Sequence, residues 1–579
     1  MARASIAASL AEVPLLADLP LALRERLGCE AREVAVSAGE WLFHEGDAAH
    51  CAYVVRSGRL DVVAEGDPPV VIRAVKRGTV LGELALLQEG RRSASVLARR
   101  DSSLIEIGRA QFELLIREAP DFALALTRSM GAQVAANRAP SLAPGPPRTI
   151  AVIALDAGAP CDQVAGRLAH VLGRYGTGAH LTRDPQRPAA DFPALLDRAE
   201  GANDRVLLDG GPAARGEAWT DFCRHEADII VAVTSGVPDD TWLERPAPLR
   251  GCELVVAAPG ISDAMIDAFA PREVQLLHRG SNLRRSADIT ARRLAGRSVG
   301  LVLSGGGARA FAHLGVLDEL HAAGILVDRI AGVSMGSIVA GLAATDRDVD
   351  EIYELFRYGF VENRPTSDYT IPAFSLIRGR RTYKMLAEAF GPVRIEELAL
   401  RFFCVSCDLI SRQMVVHRSG LLHEAVYSSL AIPGIFPPVA DEHGRLLVDG
   451  GVLDNLPVET MQRAGEGPVI AVDIATRPRP IVERGRPRTR LIARRVRLAI
   501  TGREEPLPRL AETLLRTLTL ASSDTEAAAL RHADLVIAPR VEGIGMLEWK
   551  GLDRARVCGR EAAREALEAA HETVAGWQP

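Results

Sequence analysis

Between Val299 and Ala344 the chain runs through one local pattern twice. The apolar run VGLVL gives way to SGGGARA (Ser304–Ala310) and then to FAHLGVLDEL; VDRIA gives way to GVSMG and then to SIVAGLAA. Strand, glycine turn and helix, repeated in succession, call for a parallel sheet with its crossover helices. An α/β unit is therefore expected from Arg297 to about residue 475.

Both turns have chemical potential. Ser334 lies in G-x-S-x-G between Gly332 and Gly336, where a cramped strand-to-helix turn lifts a nucleophile clear of the sheet. It would also sit at a helix N-terminus, which favours developing negative charge. Taken alone, the pattern is common by chance. Gly305, Gly306 and Gly307 expose consecutive backbone N–H groups, a nest that suits a phosphate or an oxyanion. A dinucleotide fingerprint is not met: positions 305, 307 and 310 read Gly, Gly, Ala, and the acid expected further on is at best Asp328. Downstream, LLVDGGVLDNLPV ends a strand in Asp449 at a glycine turn, which either presents a carboxylate at the sheet edge or forms an Asx-type turn.

With 579 residues the chain is too long for one core. Residues 1–138 hold short β-type runs broken by glycine, the texture of an antiparallel barrel or jelly roll with flanking helices. APSLAPGPPR makes 139–148 a Pro-rich linker. Residues 149–296 alternate apolar runs with helical stretches and are expected to form an α/β spacer; a phosphate loop at LDAGAPCDQVAG lacks the required Gly-Lys-Ser/Thr ending. Beyond the core of 297–475, residues 476–579 combine an Arg-rich segment with the C-terminal part of the same domain. That segment carries nine arginines between Arg477 and Arg497 against Glu483 alone, which reads as a solvated loop or as attraction to anionic headgroups.

The net charge of −5 gives no reason to expect nucleic acid. Eight scattered cysteines fit a reducing compartment, and Cys404 and Cys407 of CVSC, inside a strand-like run with no second ligand pair, are expected to be structural rather than metal ligands. The N-terminal segment reads as an amphipathic helix, not a signal peptide, and no apolar run is long enough to span a membrane.

The glycine loop, the G-x-S-x-G serine and the D-G-G aspartate, in that order and with AIPGIFPPV (Ala431–Val439) upstream of the aspartate, resemble the patatin-like phospholipases over residues 297–475. The resemblance implies an α/β hydrolase domain with a Ser334–Asp449 dyad and an oxyanion loop at Gly305, Gly306, Gly307, Ala308 and Arg309. Ala310 stands where the family commonly has a further glycine. A histidine triad is the competing arrangement: His532 follows Asp449 in the order a triad would need, while His313 beside the glycine loop reads as a packing or capping side chain. Without a histidine, Asp449 itself must take the serine proton, which requires a carboxylate raised by desolvation.

In the first domain GELALLQEGRRSASV (Gly82–Val96) resembles the phosphate-binding cassette of cyclic-nucleotide-binding domains, with barrel turns at Gly39, Gly46 and Gly58. The resemblance implies that Glu83 accepts from a ribose hydroxyl, Arg92 meets the cyclic phosphate, Gly82 and amides from Leu84 onward complete the pocket, and Ser93 donates to phosphate; Arg91 is a solvated neighbour. An internal Glu83–Arg92 ion pair is the structural alternative. Sensor, spacer and hydrolase in this order resemble bacterial relatives of the neuropathy target esterase family. That implies hydrolysis of phospholipid or lysophospholipid esters without a catalytic cofactor or metal, cAMP or cGMP as regulatory ligand, a cytoplasmic location with a peripheral membrane surface as partner, and leaves a homo-oligomer open. The alternative function is a cyclic-nucleotide-binding scaffold with an idle hydrolase domain.

Overall fold

The computed structural model describes residues 19–122, 146–474 and 523–578, except 38, 65–69, 77–78, 88–89, 99–101, 120–121, 212–216, 245, 247–248, 259, 278–281, 372–374 and 464. The expected N-terminal helix up to residue 18, most of the Pro-rich linker and the Arg-rich segment lie outside them. The described chain divides into two compact units, 1–295 with 463–465, and the remainder.

The first unit opens with two antiparallel four-stranded sheets. They are built from β1 (Arg32–Val36), β2 (Trp41–Phe43), β3 (Cys51–Ser57), β4 (Arg59–Ala64), β5 (Val70–Lys76), β6 (Val80–Leu81), β7 (Ser95–Ala98) and β8 (Ser102–Gly108), in the orders β1-β8-β3-β6 and β2-β7-β4-β5. Alternation in β8 sends Leu104 to a core with Val55, Leu60 and Val96, and Ile105 to a core with Val54, Phe112 and Leu115 under the flanking helix Arg109–Glu118. Gly39, Gly46 and Gly58 all take left-handed φ, as the expected turns require.

The spacer follows as a parallel sheet of β9 (Thr149–Ala154), β10 (Gly178–Leu181), β11 (Arg205–Asp209), β12 (Ile229–Thr234), β13 (Glu253–Val256) and β14 (Glu273–Leu276), in the order β10-β11-β9-β12-β13-β14. The order reverses around β9, so the loop after β9 lies at the switch point where such sheets hold ligands. Here that loop is closed by its own carboxylate: Asp156 accepts from Thr234 Oγ1 at 2.6 Å, Ser235 N–H at 2.8 Å and Gly158 N–H at 3.0 Å. These donors hold its pKa below the ordinary carboxylate value against the opposing effect of burial. A fixed negative charge thus stands where a phosphate loop would offer amides.

The second unit is built on β15 (Val299–Leu303), β16 (Val327–Gly332), β17 (Arg401–Asp408), β18 (Met414–His417), β19 (Val439–Ala440), β20 (Leu446–Asp449), β21 (Val469–Val472) and β22 (Leu535–Ile537). Their order is β19-β20-β17-β16-β15-β21-β22, with β18 also paired to β17. CVSC lies in β17, and burial pushes both thiols up, Cys407 to about 12. Strand β17 carries two partners in tandem: β16 pairs in parallel with Arg401–Cys404, and β20 antiparallel with Ser406–Asp408.

The C-terminal helix Leu552–Ala569 crosses the helix Ala312–Ala322 that follows the first glycine turn. The crossing is made by reciprocal glycines. A Cβ on Gly315 would lie 1.9 Å from the Arg556 carbonyl, and one on Gly559 1.9 Å from the Ala312 carbonyl, so neither position has room for a methyl. Asp318 then receives Arg556 Nε at 2.7 Å and Arg560 Nε at 2.8 Å. Gly559→Ala is expected to lower the stability of this unit by about 1–3 kcal/mol through backbone overpacking, seen as an earlier urea or thermal midpoint, whereas Gly543→Ala, with open space at its Cβ, is expected to leave the midpoint in place.

Candidate active site

Ser334 occupies the sharp turn between β16 and the helix Met335–Ala344, with φ 53° and ψ −127°. That is left-handed backbone for a residue with a side chain, a strain the surroundings must impose. They do so through missing side chains. A Cβ on Gly332 would lie 2.3 Å from the Gly336 carbonyl oxygen, and one on Gly336 2.5 Å from that of Leu303. The Ser334 N–H donates to Ser429 Oγ at 3.0 Å, and Ser337 Oγ donates to the Ser334 carbonyl at 2.6 Å.

Asp449 ends β20, opposite Ser406 of β17. Its N–H donates to the Ala431 carbonyl at 3.0 Å, which fixes the AIPGIFPPV segment beneath it. One carboxylate oxygen accepts the Gly451 N–H at 2.8 Å, and the Ser334 side chain is its other hydrogen-bonding neighbour. Burial raises the carboxyl to about 6, while the bonds from Ser334 and Gly451 pull it the other way. The structure thus brings the serine and aspartate of the two motifs together.

It divides the expected oxyanion loop. The Gly305 N–H donates to Asn455 Oδ1 at 3.1 Å, and the Ala308 N–H to the Met546 carbonyl at 2.8 Å. Both amides are spent, which corrects the expectation for these two positions. Arg309 turns its Nε to the Ile544 carbonyl at 2.8 Å, so its side chain anchors the loop. Gly306 and Gly307 have no acceptor for their N–H groups among the described residues. Gly307 takes φ 60°, and a Cβ there would also lie 2.2 Å from the Met546 carbonyl oxygen, so both backbone and space call for glycine.

The histidines are placed elsewhere. His313 is fully buried and its Nε2 bonds the Ser304 carbonyl at 2.9 Å. Burial lowers it to about 4, so it is neutral and its Nε2–H steadies the start of the glycine loop. His532 ends the helix Ser523–His532, exposed, its carbonyl accepting from Gln462 Nε2, and its ring has no hydrogen-bond partner among the described residues. It is not a described neighbour of Ser334 or Asp449.

Sequence reasoning missed Asn455, Ser429 and Glu526. Asn455 is buried, donates weakly to the Gly305 carbonyl at 3.5 Å and to Glu526 Oε1 at 3.4 Å, and so bridges the glycine loop to the C-terminal segment. Burial and the neighbouring Asp473 raise Glu526 to about 7. Only Asn455 had a signal, its place in DGGVLDN.

In the first unit Gly82 has φ 77°, and a Cβ on it would lie 2.1 Å from Arg92 Nη1. Arg92 is buried. It donates to the Cys51 carbonyl at 3.0 Å and the Gly82 carbonyl at 3.2 Å, and lies 4.1 Å over the Phe43 ring. Its Nε is buried without an acceptor and it has no carboxylate partner among the described residues, so the internal Glu83–Arg92 pair is not formed. A buried cation with neutral ligands fits an anionic group. Glu83 is buried at the start of the short helix Glu83–Leu87, Leu84 is half-buried, and Ser93 and Arg91 are exposed, Arg91 bonding the Gly46 carbonyl at 2.8 Å.

Two families match the sequence, patatin-like phospholipase over residues 301–461 and cyclic nucleotide-binding domain over residues 33–119. An uncharacterized NTE family protein of Mycobacterium tuberculosis is 35% identical over 98% of this chain and 97% of its own length. Lysophospholipase NTE1 of Coccidioides immitis is 26% identical over 92% of this chain but 40% of its own length. Neuropathy target esterase sws of Drosophila melanogaster is 26% identical over 76% of this chain and 36% of its own length. The chain thus spans about two fifths of these longer relatives.

Replacing Asn455 by Ala strands the Gly305 N–H in a buried site, at a cost of about 1–3 kcal/mol. Labelling of Ser334 by a fluorophosphonate is expected to slow by about tenfold to a hundredfold in Asn455→Ala. An unchanged labelling rate would mean that the glycine loop holds its position without this side chain.

Proposed function

The chain belongs to the NTE family and is a carboxylic ester hydrolase of the patatin-like phospholipase type, and we propose that it cleaves a phospholipid or lysophospholipid ester with Ser334 as nucleophile and Asp449 as its only base. The observation that most supports this is a serine in left-handed backbone against a buried carboxylate raised to about 6. In the proposed cycle Ser334 Oγ attacks the ester carbonyl as its proton passes to Asp449. The tetrahedral oxyanion is met by the Gly306 and Gly307 N–H groups, each such donor being worth about 3 kcal/mol. Collapse expels the alcohol, which takes the proton from Asp449. Water, deprotonated by the same carboxylate, then frees the fatty acid from the acyl-serine.

The cyclic nucleotide-binding domain supplies a second ligand site. Arg92 meets the cyclic phosphate, Glu83 accepts from the ribose, and Gly82 with the amides from Leu84 onward lines the pocket, cAMP or cGMP being the ligand. Its occupancy regulates hydrolysis by favouring one arrangement of the sensor. No helix among the described residues is long and apolar enough to cross a membrane, so contact with lipid is proposed to be peripheral.

Ser334→Ala and Asp449→Asn are expected to abolish ester turnover, while His532→Ala keeps near-parental rates; equal loss in His532→Ala would restore the triad, and a parent chain without turnover on any lipid or short-chain ester would leave a nucleotide-binding scaffold. On a soluble ester, kcat/KM is expected to fall as pH drops through about 6, because a protonated Asp449 cannot take the serine proton. The limb should persist in Glu526→Gln, which removes the neighbouring group titrating at about 7. Arg92→Ala is expected to weaken cAMP or cGMP binding by calorimetry by at least about thirtyfold, the cost of losing a buried charge partner.

A further inference from the structure

Two segments beside the Asp449 strand hold apolar side chains in water on well-bonded backbone. The first is a strap made of residues 368–371 and 375–379. It is closed by Thr370 N–H to the Leu376 carbonyl at 3.0 Å and Arg378 N–H to the Asp368 carbonyl at 2.9 Å. It is stitched to the segment leading to Asp449 by Leu376 N–H to the Gly434 carbonyl at 2.9 Å and Ile377 N–H to the Ile435 carbonyl at 3.0 Å. Beside these bonds Tyr369 is 75% exposed and Ile371 88%. The second segment is the turn between β17 and β18. Strand β17 runs from Ser406, opposite Asp449, directly into Leu409 and Ile410, which are 47% and 69% exposed. The turn is pinned by the Asp408 carboxylate, which accepts the Ile410 and Ser411 N–H groups at 3.1 Å, and by Leu409 N–H to the Leu446 carbonyl at 2.9 Å.

Nothing described within the unit covers these side chains. Cations accompany both segments: Arg378 and Arg380 at the end of the strap, and Arg412 in the turn, are exposed and without an ion-pair partner among the described residues. Of the carboxylates of the same segments, Asp368 accepts the Arg381 N–H on one oxygen while the other is buried away from the surface without a partner among the described residues, and Asp408 is engaged by its own turn. Apolar tips beside unpaired arginines match the boundary of an anionic bilayer, where the tips meet acyl chains and the guanidinium groups meet headgroup phosphates. A second copy of this chain fits poorly, because a two-fold contact would set each cationic rim near its own duplicate.

We propose that the strap and the turn form a docking surface for an anionic lipid bilayer, which seats the Ser334 site at the membrane so that substrate reaches it from the leaflet. The proposal rests on the lipid hydrolase reading for its purpose, and on exposure and charge for its location.

The test is sedimentation of the full chain, carrying Ser334→Ala so that the lipid stays intact, with vesicles of equal parts phosphatidylcholine and phosphatidylglycerol. The double change Ile371→Asp, Ile410→Asp is expected to cut the partition coefficient at least about tenfold, and Arg378→Gln and Arg412→Gln roughly fivefold each. With Ser334 restored, all these variants are expected to cleave a water-soluble short-chain ester at the parental rate. Unchanged sedimentation of the double variant overturns the docking surface, whatever the esterase activity. So does a dimeric parent that the double change makes monomeric while vesicle binding persists. A parent that binds vesicles through these residues yet cleaves no ester supports the surface and overturns the hydrolase reading instead.

Discussion

Three stretches far apart in sequence meet at Ser334, and they meet through positions that have no side chain. Gly336 comes so close to β15 that a Cβ would lie 2.5 Å from the Leu303 carbonyl oxygen and 2.6 Å from that of Ser304. Gly305 leaves 3.0 Å between its missing Cβ and that of Ser334, and 2.8 Å to Asn455 Oδ1. Gly450, just after Asp449, would set a Cβ 2.4 Å from the Val405 carbonyl oxygen. Interiors at crystal-like density cannot absorb a methyl at such contacts. The serine turn, the glycine loop and the aspartate turn are therefore locked against one another by backbone. That lock holds Ser334 at positive φ, since the helix behind it is seated against β15 through Gly336.

Strand β17 sets the scale of the arrangement. Because β16 ends level with Cys404 and β20 ends level with Ser406, the chain leaving one strand meets the chain leaving the other beside a common partner. Sheet register fixes this meeting more firmly than loop contacts can, since a one-residue slip would turn Asp449 to the opposite face. The far end of the chain then closes the glycine loop. Ile544 and Met546 accept from Arg309 and Ala308, and the Gly315–Gly559 crossing keeps their segment from drifting. The C-terminal segment is thus part of the loop's geometry.

This division explains what could be read from sequence. Strand–glycine–helix turns are local, and the chemistry of Gly332, Ser334 and Gly336 carries its own signature, as does an aspartate followed by two glycines. Partners supplied from far away do not. The carbonyl of Met546 is chemically the same as any other carbonyl, so nothing in SGGGARA told that the Ala308 N–H would be consumed while those of Gly306 and Gly307 were left without acceptors among the described residues. Ser429 lies in an ordinary amphipathic helix, and its bond to the Ser334 N–H depends on how that helix packs. In the spacer, the apolar runs announced a parallel sheet, but the order in which the strands pair depends on crossovers that periodicity does not encode. The mismatch at its switch-point loop was legible, because a missing Gly-Lys-Ser/Thr is a local fact; the carboxylate that fills the loop was visible as Asp156 but not as a closure.

Buried charges separate scaffold from site. Arg329 lies wholly inside the second unit and is answered on every side: Ser298 Oγ at 2.9 Å, the carbonyls of Ser298, Met461 and Gly467 at 2.7, 3.1 and 3.2 Å, and the Glu466 carboxylate at 3.7 Å. Arg293 has its charge met by the Glu253 carboxylate at 2.8 Å, although its Nε, like that of Arg92, is buried without a hydrogen-bond partner among the described residues. Cations of this kind already have a carboxylate of the protein to balance their charge. Arg92 is as deeply placed, yet it has two carbonyls, an aromatic face and no anion among the described residues. Asp449 is the mirror case, a carboxylate taken out of water with an amide and a hydroxyl but no described cation beside it. Removing an ion from water costs several kcal/mol when it is not compensated. Arg92 and Asp449 bear that cost where a charged partner would have relieved it, and in the proposed function the missing charge would come from the ligand's phosphate for the arginine and from the serine proton for the aspartate.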